Sequence, residues 1–211
     1  MEHQANTESL NLEALKKRDY IILVDKSGSM SERDCPNNMT RWMYMQEEVL
    51  ALTRKALEWD DNGITVGVFN NKWKFYENVN SEDVVKKIFT ENEPSGTTNT
   101  AGVLNEVLNT YLNNRANAKP ITVVVATDGQ PDSKDELRKT IIHAANTIER
   151  DEEIGISFVQ IGKNGEATAF LKELDDDLQG EGAKFDIVDC VTCDEMGDKS
   201  ITDILVGAVC D

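Results

Sequence analysis

The chain has 211 residues, and its 39 Asp and Glu against 22 Lys and Arg give a formal net charge of −17, which excludes a phosphate backbone or an anionic membrane surface as its natural partner. Its 39% hydrophobic residues lie in periodic blocks, none of which approaches the roughly 20 apolar residues of a membrane span. No Pro-, Gly- or Ser-rich linker divides those blocks, so a single α/β domain with a heavily solvated exterior is expected.

Residues Met1 to Thr7 are polar, without the basic start and apolar centre of a signal peptide. A cytoplasmic location is therefore expected, with an extracellular one as the alternative if the chain is a fragment of a larger surface protein. Residues 10–18 read as a short, peripheral amphipathic turn. The run Tyr20-Ile21-Ile22-Leu23-Val24 then ends in Asp25-Lys26-Ser27-Gly28-Ser29. A strand stopping there hands Asp25, Ser27 and Ser29 to one loop, and hard cations such as Mg²⁺ take oxygen ligands of this kind.

The polar connection from Ser31 to Thr40 reads either as an ordinary surface loop or as a rim shaping access to that loop. From Arg41 to Trp59 the positions Trp42, Met45, Val49, Leu52, Ala56 and Trp59 recur at helical steps, which makes them core. A strand follows over 63–70, and Trp73 to Tyr76 forms its hairpin partner at a sheet edge. Ser81 caps a short helix to Phe89, with Val84, Val85 and Ile88 on one face.

The hydroxyl-rich segment Ser95-Gly96-Thr97-Thr98-Asn99-Thr100 opens a helix over 99–113. Residues Ile121 to Thr127 repeat the first design, a β-branched strand ending in an acid and a glycine, Asp128-Gly129. Beyond it the pattern gives helices over 133–150 and 167–178, strands over 154–161 and 185–188, and a closing helix over 200–209. Alternating strands and helices imply a mostly parallel sheet covered on both faces, with ligands bound at the carboxyl ends of its strands. Asp25 and Asp128 both stand at such ends.

Taken in order, Asp25-Lys26-Ser27-Gly28-Ser29, Thr98-Asn99-Thr100 and Thr127-Asp128-Gly129 resemble the von Willebrand factor type A (vWA) domain and its metal-ion-dependent adhesion site (MIDAS). The resemblance implies a doubly wound, Rossmann-like α/β fold with one short antiparallel edge strand, built from residues 18–211 after an extension over 1–17. It also implies a metal site of Asp25, Ser27, Ser29, Thr98 and Asp128. The cation would be Mg²⁺, or alternatively Mn²⁺ or Ca²⁺, and a protein partner would supply a Glu or Asp to complete its coordination. Thr97 and Thr100 flank Thr98; in the family pattern Thr-x-Thr-x-Gly, the first Thr faces the metal.

Two rival functions are weighed against this adhesion or adaptor module. An intracellular scaffold docking on a larger ATPase or stress-response complex would use the same site chemistry. A Mg²⁺-dependent phosphoryl-transfer enzyme would also use acids at strand ends. The Asp25 loop lacks a second carboxylate two residues on, however, no GxxxxGK[ST] loop is present, and no basic residue but Lys26 is tied to the site. No catalytic activity is therefore expected. His143, within Ile141-Ile142-His143-Ala144-Ala145, reads as a helix-face or core residue. Cys35, Cys190, Cys193 and Cys210 read as thiols, with a disulfide among the last three as the alternative.

Overall fold

The computed structural model describes residues 17–56 and 63–192. The expected turn before residue 17, the helix end at Trp59, the closing helix over 200–209, and Cys193 and Cys210 lie outside the described residues.

Six strands form one sheet in the order β3-β2-β1-β4-β5-β6. They are β1 (Asp19–Asp25), β2 (Ile64–Phe69), β3 (Trp73–Val79), β4 (Ile121–Thr127), β5 (Ile154–Gln160) and β6 (Val188–Val191). Every pairing is parallel except that of β2 with the edge strand β3. The expected antiparallel edge strand is thus present, and it runs on to Val79, with an irregular register between Ile64 and Val66.

Alternation along the strands divides the core between the two faces. On one face Ile22, Val24, Val66, Val68, Val124 and Ala126 pack with Met45, Val49 and Leu52 of α1 (Arg41–Ala56) and with Val85 and Ile88 of α2 (Glu82–Glu91). On the other, Leu23, Val123, Val125, Ile156 and Phe158 meet α3 (Thr100–Asn114), α4 (Lys134–Thr147) and α5 (Gly165–Asp176). The helix starts follow from local chemistry. Asn99, Ser133 and Asn164 each accept a backbone N–H of the first turn through their side chains. Thr40 does the same for Met43 at the start of α1.

One expectation changes and one alternative is resolved. The last strand is Val188–Val191, not 185–188, because pairing with β5 begins at Ile156 opposite Val188. The preceding residues are taken up by turns such as the Ala183 N–H to Leu178 carbonyl bond, and Phe185 packs against the core from outside the ladder. His143 is exposed on α4, which selects the helix-face reading over the core one.

Candidate metal centre at the strand carboxyl ends

Because β1 and β4 are parallel neighbours, their carboxyl ends bring Asp25 and Asp128 to one edge of the sheet. Both side chains are buried, at 0% and 1% exposure. Asp25 Oδ1 accepts the Ser27 N–H at 2.7 Å, and its Oδ2 accepts the Thr127 hydroxyl at 2.8 Å. Ser27 and Ser29 share a hydroxyl–hydroxyl hydrogen bond of 3.1 Å, and Ser29 Oγ donates to Asp128 Oδ1 at 2.8 Å. Hydrogen bonds through Ser27 and Ser29 therefore link the two acids. Gly28 is exposed and Lys26 half-buried between these residues, as alternate spacing requires.

Backbone ties fix the second loop against the first. Ser95 N–H donates to Lys26 O at 2.7 Å and Gly28 N–H to Gly96 O at 3.2 Å. Gly96 adopts φ +81°, and a Cβ there would meet the Asn71 Oδ1 at 2.9 Å, so the turn requires glycine. Asn70, just past β2, donates its amide to Ser95 O at 2.6 Å and accepts Asn99 N–H on its carbonyl at 3.1 Å. From the third loop, Asp132 accepts the Thr98 N–H at 3.1 Å and the Thr97 hydroxyl at 2.7 Å, and its own N–H returns to Thr98 O at 2.9 Å.

Thr98 is accordingly held by its backbone in a loop tied to Lys26 and Gly28, with the whole residue 8% exposed. Among the described residues no hydrogen bond joins its hydroxyl to Asp25, Ser27, Ser29 or Asp128. Thr97 is turned to Asp132, while the Thr100 hydroxyl is buried without a hydrogen-bond partner.

The electrostatics of the two acids differ. Burial pushes the Asp25 carboxyl up to about 7, opposed by the Ser27 backbone N–H and reinforced by the nearby Asp128 charge. Among the described residues no cation pairs with Asp25. Asp128 does have one: Arg41 Nη1 donates to its Oδ2 at 2.7 Å. The same guanidinium grips Asp34 with Nε and Nη2, at 2.9 and 2.5 Å, and reaches Glu32 at 2.9 Å. Hydrogen bonding to Asp34 raises Arg41 above its ordinary value, against the effect of burial, and Arg41 in turn holds the Asp34 carboxyl below its usual range.

Arg41 corrects the expectation that Lys26 is the basic residue tied to the site. The helical reading of 41–59 begins at Arg41 and assigns its side chain no part, whereas that side chain turns inward across the acidic loop of Glu32 and Asp34. Gly162, at φ +75°, makes room for it; a Cβ there would lie 2.5 Å from Nε. The 31–40 connection is therefore fastened to the site rather than an independent surface loop. Asn70 and Asp132 were also missed, since each acts through loop contacts between distant segments. An acid four residues after Asp128 was the available signal for Asp132.

The donor set consists of carboxylate and hydroxyl oxygens, which suits a hard divalent cation. Among the described residues no group of three or more His, Cys, Asp or Glu side chains is placed to hold a metal, so any ion here depends on the hydroxyls.

Known folds of this kind match over most of the chain. The SpRpn10 VWA domain superposes with a TM-score of 0.61 at 13% identity, covering 88% of this chain and 97% of that one. The manganese-loaded TRAP protein of Plasmodium vivax gives 0.57 at 19%, covering 86% and 70%. A von Willebrand factor type A protein from Catenulispora acidiphila gives 0.56 at 14%, covering 92% of this chain but only 42% of its own. At these identities the likeness establishes the fold. No curated protein sequence matches the chain. The sequence profile described as vWA-TerF-like, the vWA found in the TerF C terminus, matches residues 17–208, and the chain belongs to that family.

Proposed function

We propose that this domain is a divalent-cation-dependent protein-binding module, in which Asp25, Ser27, Ser29, Thr98 and Asp128 hold Mg²⁺ and a partner protein contributes a Glu or Asp. Mn²⁺ and Ca²⁺ are the alternative ions. The observation that carries the reading is Asp25: a carboxylate at 0% exposure, beside a second buried acid, with neutral hydrogen-bond donors as its partners. Of the two acids Arg41 pairs with Asp128 alone, so ionised Asp25 is a costly buried charge unless a further positive charge joins it. A divalent ion supplies that charge and reverses the local sign, so that an acidic protein can recognise an acidic group. The likeness of fold to the manganese-loaded TRAP protein supports the choice of ion class.

The chain's own residues have distinct parts in this reading. Asp25 and Asp128 supply charge, Ser27 and Ser29 supply neutral oxygens, and Asp132 with Asn70 holds the Thr98 loop in register. A scaffold within a larger intracellular assembly is the second reading of the same chemistry. The family's description, a vWA found in the C terminus of TerF, fits a module carried within a longer protein.

The test is calorimetric titration of Mg²⁺ into the wild type and Asp25→Ala, paired with pull-down from host lysate in Mg²⁺ and in EDTA. Cation binding and a captured protein, both lost in the variant and in EDTA, are expected. Equal Mg²⁺ affinity in the two proteins overturns the reading, and Mg²⁺-dependent phosphate release from a phosphoester would replace it with the enzyme alternative.

A further inference from the structure

The acids of the candidate centre are not equivalent, and the difference lies in a residue outside it. Asp128 is fully buried and has a cation on one oxygen, whereas Asp25 is fully buried and has none among the described residues. Arg41 reaches Asp128 from the first position of α1, 87 residues earlier in the chain.

We propose that Arg41 is a built-in counter-ion of the metal centre, which neutralises Asp128 in the cation-free protein and lowers the affinity of the site for divalent ions. The proposal rests on the metal-binding reading above and adds to it which residue sets how tightly the ion is held.

Three observations support it. The first is contact. The 2.7 Å bond between Arg41 Nη1 and Asp128 Oδ2 uses the oxygen left by Ser29, so both carboxylate oxygens are occupied without an ion. The second is screening. Glu32 and Asp34 also pair with Arg41, but their side chains are 60% and 37% exposed against 0% for Asp128. Solvent weakens the outer pairs, so the field of the guanidinium is strongest where it meets Asp128. The third is fixation. Bidentate bonding to Asp34 and the side-chain-free backbone of Gly162 hold the guanidinium in that position.

The physical consequence is a competition. An incoming dication meets a monocation already paired with one of its two acids, and the repulsion between them reduces the binding free energy. The same pair keeps the cation-free domain folded, because Asp128 would otherwise be a second buried, uncompensated charge. Arg41 is a positioning and charge-setting residue; it is not a ligand.

The experiment measures Mg²⁺ and Mn²⁺ affinity by calorimetry for the wild type, Asp25→Ala, Arg41→Gln and Arg41→Lys, with thermal unfolding of each in EDTA and in saturating Mg²⁺. The proposal expects Arg41→Gln to bind Mg²⁺ at least about ten-fold more tightly than the wild type. Arg41→Lys, which keeps the charge, should stay within about three-fold of the wild type. It also expects Arg41→Gln to unfold at lower temperature in EDTA, with Mg²⁺ restoring more stability to it than to the wild type. Unchanged or weaker Mg²⁺ binding in Arg41→Gln, with binding still lost in Asp25→Ala, overturns this proposal and leaves the metal site intact. Failure of Arg41→Gln to fold even in Mg²⁺ assigns Arg41 a purely structural part and also overturns it. Equal affinity in the wild type and Asp25→Ala removes the metal reading and this one together.

Discussion

The hydroxyl of Thr127, the last residue of β4, donates at 2.8 Å to Asp25, the last residue of β1. The bond joins positions 102 residues apart and sets the carboxylate plane at the centre of the site. Thr127→Val keeps the β-branched shape of the strand and removes the donor. A hydrogen bond to a charged group contributes about 1.5–3 kcal/mol, and a loss of that size is expected at pH 8, where Asp25 is ionised. Urea unfolding in EDTA measures it, and an unchanged midpoint would show that Asp25 finds a replacement donor.

Asp25 also sets a pH dependence. Its folded value of about 7 lies above its ordinary 3.8, so between those pH values the folded protein holds a proton that the unfolded chain has released. Stability of the cation-free protein is therefore full below about pH 4 on this account and falls as pH rises through about 7. At about 1.36 kcal/mol per pH unit the loss is on the order of 4 kcal/mol. Asp25→Asn, which can keep the Ser27 contact, should be more stable than the wild type at pH 8 in EDTA and should lose that advantage near pH 4. Denaturant unfolding at the two pH values gives the comparison, and an advantage at pH 4 alone would reverse the assigned sign.

Cation binding should distinguish charged from neutral oxygens. Asp128→Ala removes one of two carboxylates and should abolish measurable Mg²⁺ binding, whereas Ser27→Ala removes a neutral oxygen and should weaken it by a smaller factor. Calorimetry with circular dichroism as a folding control reads both. Identical losses in two folded variants would count against the assigned ligand set.

The Asp132 carboxylate holds the second loop, so its removal should loosen that loop without changing the two acids of the centre. Asp132→Ala loses the bonds to Thr98 N–H and the Thr97 hydroxyl. Hydrogen exchange at the Thr98 amide should accelerate, and Mg²⁺ affinity should fall by less than in Asp128→Ala. Unchanged exchange would show that the ties to Asn70 and Lys26 hold the loop alone.

The parts of this structure legible in the sequence are those encoded by local periodicity. Val66 and Val68 alternate, Met45, Val49 and Leu52 step helically, and each pattern became a buried face. Asp25, Ser27 and Ser29 were legible because β1 ends abruptly in oxygen-bearing residues. Arg41 was not, since nothing local indicates that a helix-starting arginine crosses to an acid on β4's exit loop. Asn70 and Asp132 escaped for the same reason: their partners are set by topology, through loops joined only when β1, β2 and β4 lie side by side. The β6 boundary was missed because Phe185 and Ile187 alternate as a strand would, although the ladder begins only at Val188.

The bare backbone at Gly162 extends this dependence to a position remote in sequence from every acid it serves. In a survey of all single replacements scored for folding in EDTA, residue 162 should be sensitive, as Arg41 is, although it contributes no oxygen. Even alanine there would need both a left-handed backbone and the space now filled by Arg41. A map of intolerance would thus draw the boundary of the centre wider than its chemistry, enclosing the residue whose only contribution is to be absent.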